Sequence, residues 1–226
     1  MKYFILALTF VFSYIIGSLN SAIIITYLLK RKDIRKYGSF NAGLTNVYRC
    51  FGVLAASLTI GMDLLKGAVI IFSTRLVLLL PMFDNFALDD FSVCLISTLF
   101  AVIGHCYPVF YGFKGGKGIL LAAICMLFTD PMVFLLELIM FLVLVATTKY
   151  ISIGSLSACV GYPLFTMLWQ ALANKYLGGT YENIWLHGLI ILPMFFLCYF
   201  RHLSNIRHLF SGDEKKFYLH KKGENE

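Results

Sequence analysis

The chain has 226 residues, 59% of them hydrophobic and 14% charged, with a mean hydropathy of +0.80. A soluble domain carries roughly a quarter charged residues, so an ordinary cytosolic enzyme, a disordered chain and a collagen-like repeat are excluded. The formal charge is +7, and 15 of the 19 Lys and Arg fall within Lys30–Arg49, at Lys114, Lys117 and Lys149, or from Arg201 onward. Asp84, Asp89, Asp90, Asp130 and Glu182 occupy the alternate gaps. That alternation marks the basic segments as cytoplasmic loops of a membrane protein. No face or arm collects the charge as a nucleic-acid site would. The six cysteines form no CxxC and read as small buried hydrophobes.

A bilayer core of ~30 Å takes about 20 apolar residues of helix, and Tyr3–Leu29 is the first such run. It is too long for a signal-peptide core. Basic residues crowd its far end, which predicts a retained span with the N-terminus outside. Phe51–Met82 comes next and would make ~48 Å of continuous helix, so a break is expected near Gly61. Leu64–Met82 then spans the membrane, and Phe51–Met62 lies as a short helix at or in the cytoplasmic face. Asp63 and Lys66 would stand at the cytoplasmic mouth. Arg75 and Glu137 lie at similar depth in their spans, where an ion pair or snorkelling to the interface is expected.

Phe91–Tyr111, Gly118–Thr129, Met132–Thr148, Ile151–Ala173 and Ile184–Phe200 complete seven crossings of an all-α integral membrane protein, one domain over 1–226. Seven crossings return the basic C-terminal tail to the cytoplasm. Merging the short Gly118–Thr129 block with its neighbour across Pro131 gives six and strands that tail outside, so the charge pattern favours seven. Ser13, Gly17 and Ser21, and Ser157 and Gly161, recur at a spacing that suits close helix packing in lipid.

Three polar segments fall on the cytoplasmic side. Gly38–Arg49 supplies Ser39, Asn41, Gly43, Thr45 and Asn46 as donors in a flexible loop, with Arg49 able to grip phosphate oxygens; an ordinary polar turn is the alternative. Gly104–Ile119 carries His105 and then Gly115-Gly116-Lys117-Gly118, where backbone can approach an anion at the start of a helix. It is not a Walker A loop, since Tyr111 stands where glycine is needed and Gly118 replaces the Ser/Thr. Arg201–Phe217 places His202 and Asn205 on one helical face, with Glu214 expected to pair structurally with a nearby Lys or Arg. Alone, this segment equally suits a juxtamembrane basic helix. The sequence offers no HExxH, no aspartate-rich metal cluster and no His-x4-Asp, so metal-dependent phosphotransfer and a covalent serine mechanism are weakly supported. The groups present are suited to holding phosphate.

Together these segments resemble the bacterial acyl-phosphate:glycerol-3-phosphate acyltransferases (PlsY). The resemblance rests on GSFNAGLTNVYR, DLLKG at Asp63–Gly67, GHCYPVFYGFKGGKG, ISIGS at Ile151–Ser155 and HLSNIRHLFSGDEKKF, in this order. It implies an inner-membrane enzyme with a cytoplasmic active site that moves a fatty acyl group from acyl phosphate to the 1-hydroxyl of glycerol 3-phosphate, with no cofactor. It also implies a soluble partner enzyme that makes acyl phosphate. Carried over by motif, Ser39, Thr45, Asn46 and Arg49 are first-loop phosphate ligands. Gly115, Gly116 and Lys117 form part of the cradle, and His202 and Asn205 complete the site. Phe40, Leu44, Asn20 and Ser211-Gly212-Asp213 depart from the family pattern, and the first two would stiffen or shift the first loop.

Acyl phosphate is an activated mixed anhydride, so holding two anionic substrates together is the main requirement. A substrate phosphate oxygen is the expected proton acceptor, with His202 as the rival base. A transporter for an anionic solute is the alternative from another class; it would need paired broken helices at the midplane.

Overall fold

The computed structural model describes residues 1–84 and 86–218, and among these the fold is all-helical, with no strand. The first apolar run forms α1 (Lys2–Ser18) and α2 (Ser21–Lys30). They part at Asn20, whose Oδ1 accepts from the Ile23 amide at 3.1 Å, an N-cap that starts the second helix.

The long helix α3 (Leu44–Leu78) breaks at Gly52, not near Gly61. Gly52 has φ +79, a backbone region that favours glycine. Beyond it the helix runs unbroken through Gly61, so Phe51–Met62 is no separate helix. Asp63 and Lys66 consequently sit inside a continuous helix and not at its start. Both are buried; Lys66 Nζ donates to Asp63 Oδ1 at 3.2 Å, and Ser21 Oγ donates to the same oxygen at 2.6 Å.

Four further long helices follow: α4 (Asp90–Cys106), α6 (Pro131–Thr148), α7 (Ile151–Tyr176) and α8 (Ile184–Arg201). The 11-residue α5 (Ile119–Thr129) precedes α6, and the short α9 (Leu203–Ser211) ends the helical order. Asp130 alone separates α5 from α6; its Oδ1 caps α6 through the Val133 amide, and Pro131 occupies the first helical position. The two blocks are therefore distinct helices. Among the described residues six segments are long and apolar enough to cross a membrane, and α5 is the shorter apolar helix.

Close backbone approach holds the bundle. Gly17 of α1 lies on the Ala101 backbone and Gly104 of α4 lies on the Tyr14 carbonyl, leaving no room for a Cβ at either contact. All six cysteines are free and five are buried, as hydrophobes. On α6, Val133 and Glu137 face inward while Leu135, Ile139, Leu142 and Val143 are exposed, an apolar outer face suited to hydrocarbon.

Arg75 does not pair with Glu137. Its Nε donates to Asp90 Oδ2 at 3.2 Å and its Nη1 to the Phe128 carbonyl at 3.0 Å. The partly exposed Asp90 lets the guanidinium stay at the rim of the bundle, where it avoids the desolvation that a deep pair imposes.

Candidate active site

The loop between α2 and α3 is folded around one side chain, Asn46. Its Nδ2 donates to the carbonyls of Tyr37 at 2.9 Å and Asn41 at 3.0 Å, and its Oδ1 accepts from the Ser39 amide at 2.9 Å. Asn46 was expected among the phosphate ligands; its amide is instead spent on shaping the loop. Phe40 has φ +58, the conformation its glycine counterpart favours, so the loop takes a glycine-type turn with phenylalanine in it. Asn20 adds a tether, its Nδ2 donating to the Ala42 carbonyl at 3.3 Å.

Arg201 organises the glycine loop. Its Nε and Nη2 donate to the Gly116 carbonyl at 3.1 and 2.9 Å, and Nη2 also donates to the Gly115 carbonyl at 3.1 Å. The Gly115 and Gly116 amides donate to the carbonyls of Cys106 and His105. Both amides are thus engaged within the protein and do not form the expected anion cradle. These glycines are needed for space: a Cβ on Gly116 would meet the His105 ring and the Ala42 carbonyl, and one on Gly115 the His105 carbonyl. Arg35 braces the same loop through the Tyr111 carbonyl at 2.7 Å.

At the end of this loop Lys117 Nζ donates to Asn205 Oδ1. Asn205 Nδ2 in turn donates to Glu214 Oε1 at 2.9 Å, and Ser152 Oγ donates to the same oxygen, also at 2.9 Å. Glu214, expected to pair with a Lys or Arg, is held by a neutral amide and a hydroxyl beside Lys117. Burial pushes the Lys117 ammonium down to about 8; Glu214 opposes this, while Arg201 and Arg49 add to it. His202 is buried and pushed down to about 4, first by desolvation and then by the Lys117 charge. Its Nδ1 lies 2.8 Å from the Cys198 carbonyl. A carbonyl only accepts, so Nδ1 carries the proton and Nε2 is the ring's bare acceptor. Arg49 is exposed, and its Nη2 donates to the Lys215 carbonyl at 3.0 Å, which ties the C-terminal segment across the site.

Two cavities meet here. One, of about 400 Å³, is bordered by Asn41, Gly43, Thr45, Arg49, Asp63, His105, Lys117, Gly118, Ser152, His202, Asn205 and Glu214, and it extends along Ile119, Leu120, Ala123, Leu127, Phe134 and Phe141. The second, of about 780 Å³, is bordered by Arg35, Ser39, Asn41, Arg49, Lys114, Gly115, Lys117, Arg201, Asn205 and Glu214. Asn41, Arg49, Lys117, Asn205 and Glu214 border both. The structure therefore gathers nearly all of the residues expected from sequence. Asn46, Lys66 and Gly116 border neither cavity and support those that do.

Arg201, Ser152 and Glu214 are the residues that sequence reasoning undervalued. Each had a signal: Arg201 adjoins His202, Ser152 lies in the ISIGS segment, and Glu214 lies in the last polar segment. Their partners are distant in sequence, which hid their roles.

A family model described as glycerol-3-phosphate acyltransferase matches residues 7–212. The chain belongs to the glycerol-3-phosphate acyltransferase family. A glycerol-3-phosphate acyltransferase of Finegoldia magna is 36% identical over 216 residues, 96% of this chain and 98% of that one. Its counterpart in Listeria welshimeri is 33% identical, covering 90% of this chain and 92% of the relative. The fold is similar to that of a crystal structure of PlsY (YgiH), an integral membrane glycerol 3-phosphate acyltransferase, in its glycerol 3-phosphate form. That match has a TM-score of 0.75 and 30% identity, over 94% of this chain and 96% of that one. The lysophosphatidic acid form of PlsY matches with a TM-score of 0.72 and 29% identity, over 94% and 95% of the two chains. The family expectation drawn from the five motifs is thus borne out, and the chain is an enzyme of the acyltransferase class.

Proposed function

We propose that the chain transfers a fatty acyl group from acyl phosphate to the 1-hydroxyl of glycerol 3-phosphate, giving 1-acylglycerol 3-phosphate and inorganic phosphate. The observation that carries this reading is the shared wall. Lys117, Arg49, Asn41, Asn205 and Glu214 face both a cavity with an apolar arm and a larger one that Arg35, Lys114 and Arg201 also border. One set of groups thereby serves a hydrocarbon tail bearing a phosphate and a small polyhydroxy anion. The two PlsY forms, with glycerol 3-phosphate and with lysophosphatidic acid, agree with those two occupants.

In this reading Lys117, fixed by Asn205, neutralises the phosphate of the donor, and Arg49 and Ser39 receive the phosphate of the acceptor. Asn41, Gly43 and Thr45 line the path between them, with the N-terminus of α5 adding its amides beside Gly118. The 1-hydroxyl attacks the acyl carbonyl carbon, the bond from that carbon to the phosphate oxygen breaks, and phosphate departs with the electron pair. A phosphate oxygen of the donor takes the hydroxyl proton, and His202 Nε2 orients that hydroxyl by accepting from it in the approach. Positioning and charge neutralisation supply most of the acceleration.

Seven crossings with the N-terminus outside fit this arrangement. The Asp130 turn separates α5 from α6, so in this reading α5 makes a short pass of its own, and the loops around the two cavities carry basic residues. That orientation puts the active site on the cytoplasmic face of the bacterial inner membrane, where a soluble enzyme would supply acyl phosphate. The test is purified protein in detergent given acyl phosphate and glycerol 3-phosphate. Stoichiometric phosphate release supports the proposal. Uptake of glycerol 3-phosphate into vesicles without acylation would favour a transporter.

A further inference from the structure

Glu137 carries a buried carboxyl that nothing among the described residues satisfies. The residue is 4% exposed, and neither carboxyl oxygen has a hydrogen-bond partner. Its head lies in the notch left by the absent side chain of Gly161 on α7; a Cβ there would fall on Oε1. The cation at comparable depth, Arg75, is turned away to Asp90 and Phe128. A buried acid without a partner is costly, and within an apolar helix it calls for a use.

Its position suggests one. Glu137 borders the same cavity as Lys117; it packs at Gly161, nine residues along α7 from the Ser152 that binds Glu214 beside Lys117, so ~13 Å of helix separates the two. The α5 wall of the apolar arm runs from Ile119 to Leu127, ~12 Å of helix. The α6 wall consists of Phe134, Leu138 and Phe141 around Glu137. Along these two helices every other bordering side chain is hydrocarbon.

We propose that Glu137 sets the acyl-chain preference of the enzyme. Tails that stop short of the carboxyl lie against the hydrocarbon side chains of α5 and α6. Tails long enough to lie over it fill the space into which the carboxyl could otherwise turn to meet water, and are disfavoured. This rests on the acyltransferase reading above.

The experiment compares kcat/KM for saturated donors from octanoyl to stearoyl phosphate at saturating glycerol 3-phosphate. The proteins are the wild type, Glu137→Gln and Glu137→Leu. Glu137→Leu should raise the ratio of longest to shortest donor about tenfold, because the polar interruption is gone. Glu137→Gln, equal in shape and still polar, should keep the wild-type profile. Gly161→Ala offers an independent route if the leucine variant fails to fold: by pushing the carboxyl toward the cavity it should shift preference to shorter tails. An identical relative profile in wild type and variants overturns the role of Glu137, as does an equal loss at every chain length. Wild-type protein that transfers from no acyl phosphate overturns the acyltransferase reading itself.

Discussion

Glu214 fixes the orientation of the Asn205 amide: Oε1 accepts from Nδ2 at 2.9 Å, and this turns Oδ1 toward the Lys117 ammonium. A flipped amide would present donors to the lysine and lose both contacts. Ser152 holds the same carboxylate oxygen, so a residue of the C-terminal segment is clamped between α7 and α9. The chain thereby sets Lys117 through Asn205 and Glu214, which border both cavities with it.

Replacing Glu214 by glutamine tests that relay. The Glu214 charge favours protonated Lys117, so its removal should lower the lysine further below about 8. The alkaline limb of kcat/KM for acyl phosphate should move down by roughly half a pH unit or more. A limb that stays in place would show that the carboxylate does not act on the lysine.

Lys117 itself should define that limb. It is charged at pH 7 and loses its proton as pH rises through about 8 in the free enzyme, earlier than an exposed lysine. Activity is expected to decline there, and Lys117→Met should lower kcat/KM about a hundredfold or more at every pH. A bound phosphate favours the protonated form, so the limb in kcat should lie at higher pH than that in kcat/KM.

His202 gives the opposite signature. An imidazole pushed down to about 4 stays neutral across the assay range, so no step should appear near 6.5 in the rate profile. Stability should show the linkage instead. Between pH 6.5 and about 4 the unfolded chain binds the proton and the folded chain does not, so stability falls as pH drops through that window. The loss attributable to this one group is at most about 3 kcal/mol. Thermal unfolding in detergent of wild type and His202→Gln measures it as a difference that changes with pH below about 6.5 and is constant above pH 7.

Much of this site was legible in sequence because phosphate chemistry demands a narrow set of residues, and Ser39, Arg49, Lys117, His202 and Asn205 stand out against a hydrocarbon background. What was hidden is what depends on backbone geometry or distant partners. Gly52 and Gly61 both interrupt one apolar run, and only the positive φ at Gly52 distinguishes the break. Gly115 and Gly116 suggest amides for an anion, yet those amides are bonded to His105 and Cys106, and it is their missing side chains that matter. Equal depth made Arg75 and Glu137 plausible partners, but Asp90 was closer to water.

Phe40 offers a stability test of the first loop. A non-glycine residue at φ +58 is strained, and its ring is 70% exposed, so little packing offsets the cost. Phe40→Gly should stabilise the protein by up to about 1 kcal/mol, read as a higher Tm. A lower Tm would mean that the ring holds the loop.

The central claim is that acyl phosphate is the donor and that Lys117 receives its phosphate. The most direct measurement follows labelled glycerol 3-phosphate and released phosphate together, with acyl phosphate or acyl-CoA as the only donor. The account expects one phosphate released for each 1-acylglycerol 3-phosphate formed from acyl phosphate, with both signals lost together in Lys117→Met. Equal or faster acylation from acyl-CoA, or full activity in Lys117→Met, would contradict it.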